Sequence, residues 1–214
     1  MMKTTLVTAD WLKAQSVEEV MIFDATYFLP TMERDGRKEY KEAHIPGAIF
    51  FDIDGIKDET SNLPHMIPSA ERFQNEMQNL GLKASQQVVA YDNSPFLSSA
   101  RAWWMLRFFG HHAVAVLDGG LPAWKAAGGM LTDEVIERTT GTFRVGVSSD
   151  ADVITLAELE QAVRSGEADQ IVDARAADRF AGRAPEPRPG LRAGHIPDSL
   201  NLPIGDILDK TTGK

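Results

Sequence analysis

The amino-acid sequence repeats itself, and that constrains how it can fold more than any other feature does. Ile22-Phe23-Asp24-Ala25-Thr26 returns as Ile171-Val172-Asp173-Ala174-Arg175, and Ala43-His44-Ile45-Pro46-Gly47-Ala48 returns as Gly194-His195-Ile196-Pro197-Asp198-Ser199. The offsets nearly agree: 149 residues separate Asp24 from Asp173, and 151 separate His44 from His195. Upstream, Thr8-Ala9-Asp10-Trp11-Leu12 matches Thr155-Leu156-Ala157-Glu158-Leu159. Thr155 with Glu158 three residues later is a capping-box pattern, so a helix is expected to start there. Three blocks in one order point to a duplicated unit. The expected organisation is a first copy over 1–136, a connection rich in Thr, Gly and Ser over 137–152, and a second copy over 153–214. The first copy continues about 87 residues past His44 and the second only 19 past His195. Copy two is therefore expected to be incomplete by about 68 residues, and the chain to be a fragment or a truncated product.

Within copy one, 20–26, 47–52, 87–92 and 113–118 are short apolar runs suited to buried strands. The pattern predicts helices over 69–80, 98–109 and 122–127, closed by Gly81, Gly110 and Gly128-Gly129. Strands separated by helices require crossover connections, hence an α/β fold with a mostly parallel sheet covered on both faces.

Charge and composition remove several function classes. The formal net charge of −9 is the wrong sign for a nucleic-acid binder. No apolar run approaches the roughly 20 residues needed to cross a bilayer, and the start Met1-Met2-Lys3-Thr4-Thr5 leads into no signal-peptide core, so a cytoplasmic protein is expected. The 214 residues contain no cysteine, hence no disulfide, thiolate metal site or thiol nucleophile. The adjacent His111-His112 lacks the spacing of metal ligands on a helix, so no metal is expected.

The chain resembles the rhodanese superfamily, and within it the two-domain 3-mercaptopyruvate sulfurtransferases. The residues that carry the resemblance begin with Glu42-Ala43-His44-Ile45-Pro46-Gly47-Ala48, Phe50-Phe51-Asp52-Ile53-Asp54 and Pro64-His65-Met66. They continue through Arg101-Ala102-Trp103-Trp104-Met105, Asp118-Gly119-Gly120-Leu121-Pro122-Ala123-Trp124 and, in copy two, Asp178-Arg179-Phe180 and Pro185-Glu186-Pro187-Arg188-Pro189-Gly190. The resemblance implies tandem rhodanese-like domains, the second incomplete. It also implies cofactor-free transfer of sulfur from a small anionic donor, mercaptopyruvate or thiosulfate, through a cysteine persulfide to cyanide or a thiol. In this family the cysteine lies in a strand-to-helix loop of the second domain. The equivalent loop of copy one, Tyr91 to Arg101, has Asp92 where a cysteine would stand, so copy one is expected to be catalytically silent.

Five arginines, Arg175, Arg179, Arg183, Arg188 and Arg192, gather in copy two against Asp178 and Glu186. Composition alone reads them as a solvated charged loop. The resemblance assigns Arg179 and Arg188 to the donor's carboxylate, which a guanidinium fork matches with paired hydrogen bonds, and leaves the others as surface or structural. It makes Asp54 a polar partner of the reacting group and His65 a cleft-lining residue, both on segments facing the family's active site. Read without it, they are a turn aspartate before Gly55 and a buried, hydrogen-bonded histidine. His44 and His195 recur at matching places and are expected to satisfy backbone groups. With no cysteine in the 214 residues, the chain alone is expected to be inactive. The rival to an enzyme is a non-catalytic binding or regulatory module derived from the same domain; a phosphatase on a related fold would need the same missing cysteine.

Overall fold

The computed structural model describes residues 4–16, 18–146, 153–188 and 190–209. The chain divides into two compact units, 1–149 and 150–214. The last stretch of the expected connection, 147–152, and the final residues 210–214 lie outside the described residues.

The first unit is a five-stranded sheet in the order β1-β5-β4-β2-β3, every pairing parallel. Its strands are β1 (Leu6–Val7), β2 (Val20–Asp24), β3 (Ala48–Phe50), β4 (Gln87–Tyr91) and β5 (Val114–Leu117). Helices α1 (Ala9–Lys13), α2 (Gly36–Glu42), α3 (Ala70–Asn79), α4 (Ser99–Phe108) and α5 (Gly120–Ala126) make the crossovers and cover both faces. Side chains alternate across a strand, and the two cores follow from that. Met21, Phe23, Val88 and Ala90 face α3 and α4 with Phe73, Met77, Met105 and Leu106. Ile22, Val89 and Tyr91 face the other way, with Leu12, Tyr40, Leu121 and Trp124. The predicted strands and helices of copy one are all present. Beyond them lie β1, α1 and α2, the last capped by Asp35, whose carboxylate accepts from the Lys38 amide.

The second unit contains α6 (Leu156–Ser165), β6 (Val172–Asp173), α7 (Ala177–Phe180) and β7 (Leu200–Asn201), with β6 and β7 parallel. Thr155 and Glu158 form the capping box at α6. The repeated sequence blocks carry repeated bonds. Asp24 accepts from the Thr26 amide and Asp173 from the Arg175 amide. The Asp24 carbonyl receives Phe51 N–H, and the Asp173 carbonyl receives Leu202 N–H. His44 meets the Tyr40 carbonyl through Nδ1 at 2.6 Å, and His195 meets the Phe180 carbonyl through Nδ1 at 2.7 Å. Each imidazole stacks on the ring of the residue whose carbonyl it holds.

One boundary differs from expectation. Residues 137–146 are not a free connection but a strap on the first unit. Gly141 N–H reaches the Gln78 carbonyl, Phe143 N–H the Leu82 carbonyl and Gly146 N–H the Phe109 carbonyl, while Arg138 donates to the Gly47 carbonyl. Phe143 is 1% exposed and packs edge-on to Phe73. An isolated Phe among Thr and Gly shows no periodicity, so the sequence read as a loop; burial of that one ring, with backbone bonds on either side, ties it down. Phe143→Ala is expected to cost about 3–5 kcal/mol, read as a lower urea midpoint for the first unit. An unchanged midpoint would return 137–146 to the role of a connection.

Candidate functional site

All five strands of the first unit are parallel, so the loops leaving β2, β3 and β4 gather at one edge of the sheet. The loop after β3 carries Asp54. There Asp52 turns the chain by accepting from the Asp54 and Gly55 amides through Oδ1, while its Oδ2 takes Arg37 Nη2 at 2.6 Å. Asp54 is largely exposed, and its Oδ1 lies 2.7 Å from His65 Nε2. An ionised carboxylate only accepts, so Nε2 carries a proton in this pair, and in the neutral imidazole Nδ1 then keeps its lone pair. The two residues that the sequence left between a site role and a structural one, as turn aspartate and buried histidine, are brought together as an aspartate–histidine pair. His65 is partly exposed, and its backbone φ is +57°, a left-handed conformation that costs a non-glycine residue about 1–3 kcal/mol. A cavity of about 350 Å³ lies beside Asp54, walled by Tyr27, Phe28, Arg34, Arg37 and Phe50. Arg34 and Arg37 are both engaged, by Glu39 and Asp52.

The loop after β4 is the one in which the sequence resemblance expects a cysteine and has Asp92. Asp92 is 4% exposed; its Oδ1 accepts from Ser94 N–H at 2.9 Å and its Oδ2 from Ser99 N–H, at the start of α4, at 2.7 Å. Burial pushes the Asp92 carboxyl above its usual range, against the pull of those amides. Its backbone carbonyl receives Leu121 N–H and sits 2.4 Å from where a Cβ on Gly120 (φ +56°) would project, so only glycine fits that turn.

In the second unit, Arg179 donates through Nε and Nη2 to Glu186 Oε2, and Arg175 reaches Glu186 Oε1, both oxygens of Asp173 and the Gly194 carbonyl. Arg179 and Arg175 together hold the Glu186 carboxyl below its usual range. Arg175 is thus structural, and Arg179 is already committed to one carboxylate. Arg188 is half-buried, with no ion-pair partner among the described residues. Pro189, beside it, lies outside the described residues. Among the described residues no three His, Asp or Glu side chains group as metal ligands, and no helix is long and apolar enough to cross a membrane.

The rhodanese-like domain family matches residues 8–127. The 3-mercaptopyruvate sulfurtransferase of Escherichia coli K12 is 42% identical over 211 residues, spanning 97% of this chain and 74% of the relative. The chain belongs to the rhodanese family. The human 3-mercaptopyruvate sulfurtransferase is 41% identical over 96% of this rhodanese and 71% of its own length. Among solved structures, the Escherichia coli 3-mercaptopyruvate sulfotransferase SseA superposes with a TM-score of 0.86 at 37% identity, covering 99% of this chain and 79% of SseA. Tum1 of Saccharomyces cerevisiae gives 0.87 at 31% identity, covering 100% and 74%. Two residues of this rhodanese that touch His65 escaped sequence reasoning. Tyr27 presents its ring edge-on at 4.9 Å, and Arg101 donates Nη2 to the His65 carbonyl at 2.7 Å. The only signal for Arg101 was its place in the family block Arg101-Ala102-Trp103-Trp104-Met105.

Asp92→Ala strands two buried amides and is expected to cost about 2–4 kcal/mol. The raised native pKa of Asp92 makes its protonated form the better fit. That contribution is complete below the unfolded value of about 3.9 and is lost as pH rises through the native value. The Asp92→Asn variant lacks this slope, so the urea midpoint of wild type should fall relative to that of the variant as pH rises above about 4. Parallel curves would contradict the assignment.

Proposed function

We propose that this rhodanese is built for sulfur transfer from a small anionic donor of the 3-mercaptopyruvate class, with thiosulfate as the second donor and cyanide or a thiol as acceptor. The observation that carries the reading is the Asp54–His65 pair, because the reaction needs a group that holds and delivers a proton. A thiolate attacks the donor's sulfur, the carbon–sulfur bond breaks, and its electron pair leaves on carbon as the enolate of pyruvate. The sulfur remains as a persulfide, and the enolate takes a proton to become pyruvate. That proton is assigned to His65, oriented by Asp54: the Nδ1 lone pair takes it from the donor's thiol and returns it to the enolate carbon, leaving the persulfide as its anion, while Arg179 and Arg188 are assigned to the donor's carboxylate. The thiolate is not among these 214 residues, so persulfide formation requires a cysteine from outside them.

The 214-residue protein is expected to form no pyruvate from 3-mercaptopyruvate and no thiocyanate from thiosulfate and cyanide, yet to bind the donor. Arg188→Ala should weaken that binding about 10- to 100-fold, the worth of a charge-assisted hydrogen bond. Arg179→Ala should weaken it less, since Glu186 already takes two of its donors. Calorimetric titration with both arginine variants indistinguishable from wild type would remove the donor-site assignment; turnover by the cysteine-free chain would overturn the mechanism.

A further inference from the structure

The loop of copy one that holds no cysteine is wired to the Asp54–His65 pair. Asp92 fixes the first turn of α4 through the Ser99 amide. Next to it, Ser98 donates its hydroxyl to the Ala25 carbonyl at 2.7 Å and accepts the Tyr27 amide at 3.2 Å, tying α4 to the segment leaving β2. Tyr27 places its ring against His65. In the first turn of α4, Arg101 lays its guanidinium over Trp104, 5.0 Å from the ring centroid, and donates Nη2 to the His65 carbonyl. Among the described residues Arg101 has no carboxylate partner, although it is half-buried and burial lowers its pKa from the usual value. A guanidinium held there for stability alone would be expected to face a carboxylate. Instead it grips the backbone of a histidine held in a left-handed conformation.

We propose that Arg101 is a positioning residue for His65: the cysteine-less loop and α4 serve as the foundation from which Arg101 holds the His65 backbone, so that the imidazole keeps Nε2 on Asp54 and its Nδ1 lone pair free. The functional weight of this device rests on the proton-handling reading above, but the geometry can be tested without turnover. Arg101 contacts no reacting atom. It acts through His65.

The experiment is NMR of the histidine ring nitrogens in the intact 214-residue protein, with His65 assigned by His65→Gln. In wild type, His65 is expected to show one tautomer, protonated at Nε2. Arg101→Met should move its two nitrogen resonances towards each other, as the ring samples both tautomers, with the amide spectrum of β2–β5 retained. Arg101→Lys, which keeps a charged donor, should restore the wild-type pattern. A folded Arg101→Met protein with unchanged His65 nitrogens and only a lower melting temperature would overturn the proposal, as would an Arg101→Lys protein as perturbed as the Met variant. If Arg101→Met does not fold, Arg101→Gln is read by the same criterion. Titration of wild type with 3-mercaptopyruvate separates the two claims: His65 resonances that ignore the donor would count against the sulfur-transfer reading while leaving the positioning result intact.

Discussion

Parallel pairing throughout the five-stranded sheet decides where this protein can do chemistry. When every strand runs the same way, every carboxyl end opens on one edge, and the turns there must carry whatever polar groups the fold presents. Asp24 ends β2, Asp52 and Asp54 follow β3, and Asp92 follows β4. Each has found a different answer to the same crowding. Asp24 is buried, receives the Thr26 amide, and is pushed above the usual carboxylate range by desolvation. Asp52 shapes a turn and takes Arg37. Asp54, the most exposed, is left to hold a histidine.

Asp92 shows what a change of one side chain does to such an edge. The start of a helix offers amides to an anion, and a thiolate or a carboxylate can accept them equally. A carboxylate cannot take up sulfane sulfur as a thiolate does, however, and with both oxygens bonded it becomes a brace. The second unit meets the anion problem from the opposite side. Arg175 and Arg179 converge on Glu186, whose side chain is 5% exposed, and so neutralise within the protein a charge that two guanidinium groups could otherwise offer to a ligand. Thr26 stands in copy one where Arg175 stands in copy two, and with it goes the ion pair that keeps Asp173 ionised while Asp24 is pushed towards the neutral form.

Much of this was legible in the sequence, for reasons that can be named. Buried central strands read as apolar runs because both faces are covered, and α6 was announced by Thr155 and Glu158. What escaped depends on tertiary partners. Strand β1 has two residues and exists through pairing with β5. Helix α2 buries only Tyr40, too little to leave a periodic stripe. The strap at 137–146 is fixed by carbonyls and amides, which every sequence possesses and none displays. Asp54 and His65 were visible as residues but not as a pair, since a separation of 11 residues fixes no distance until the Asp52 turn and the left-handed His65 close the loop.

Arg101 is the case in which local pattern misleads most. On the sequence it belongs to an aromatic helix, and its cation sits over Trp104 much as a surface arginine would cover an indole. Only its bond to a carbonyl 36 residues earlier separates it from that description. A backbone acceptor leaves no trace in residue type, so the partner of Arg101 could have been any residue at position 65. That the residue is a histidine with strained backbone and an aspartate on its ring turns a packing arginine into part of the site. A lysine there could make the same bond from a flexible stem, whereas the guanidinium also rests its planar face on Trp104. The fold thus positions His65 by way of a loop that has itself no group able to take sulfur.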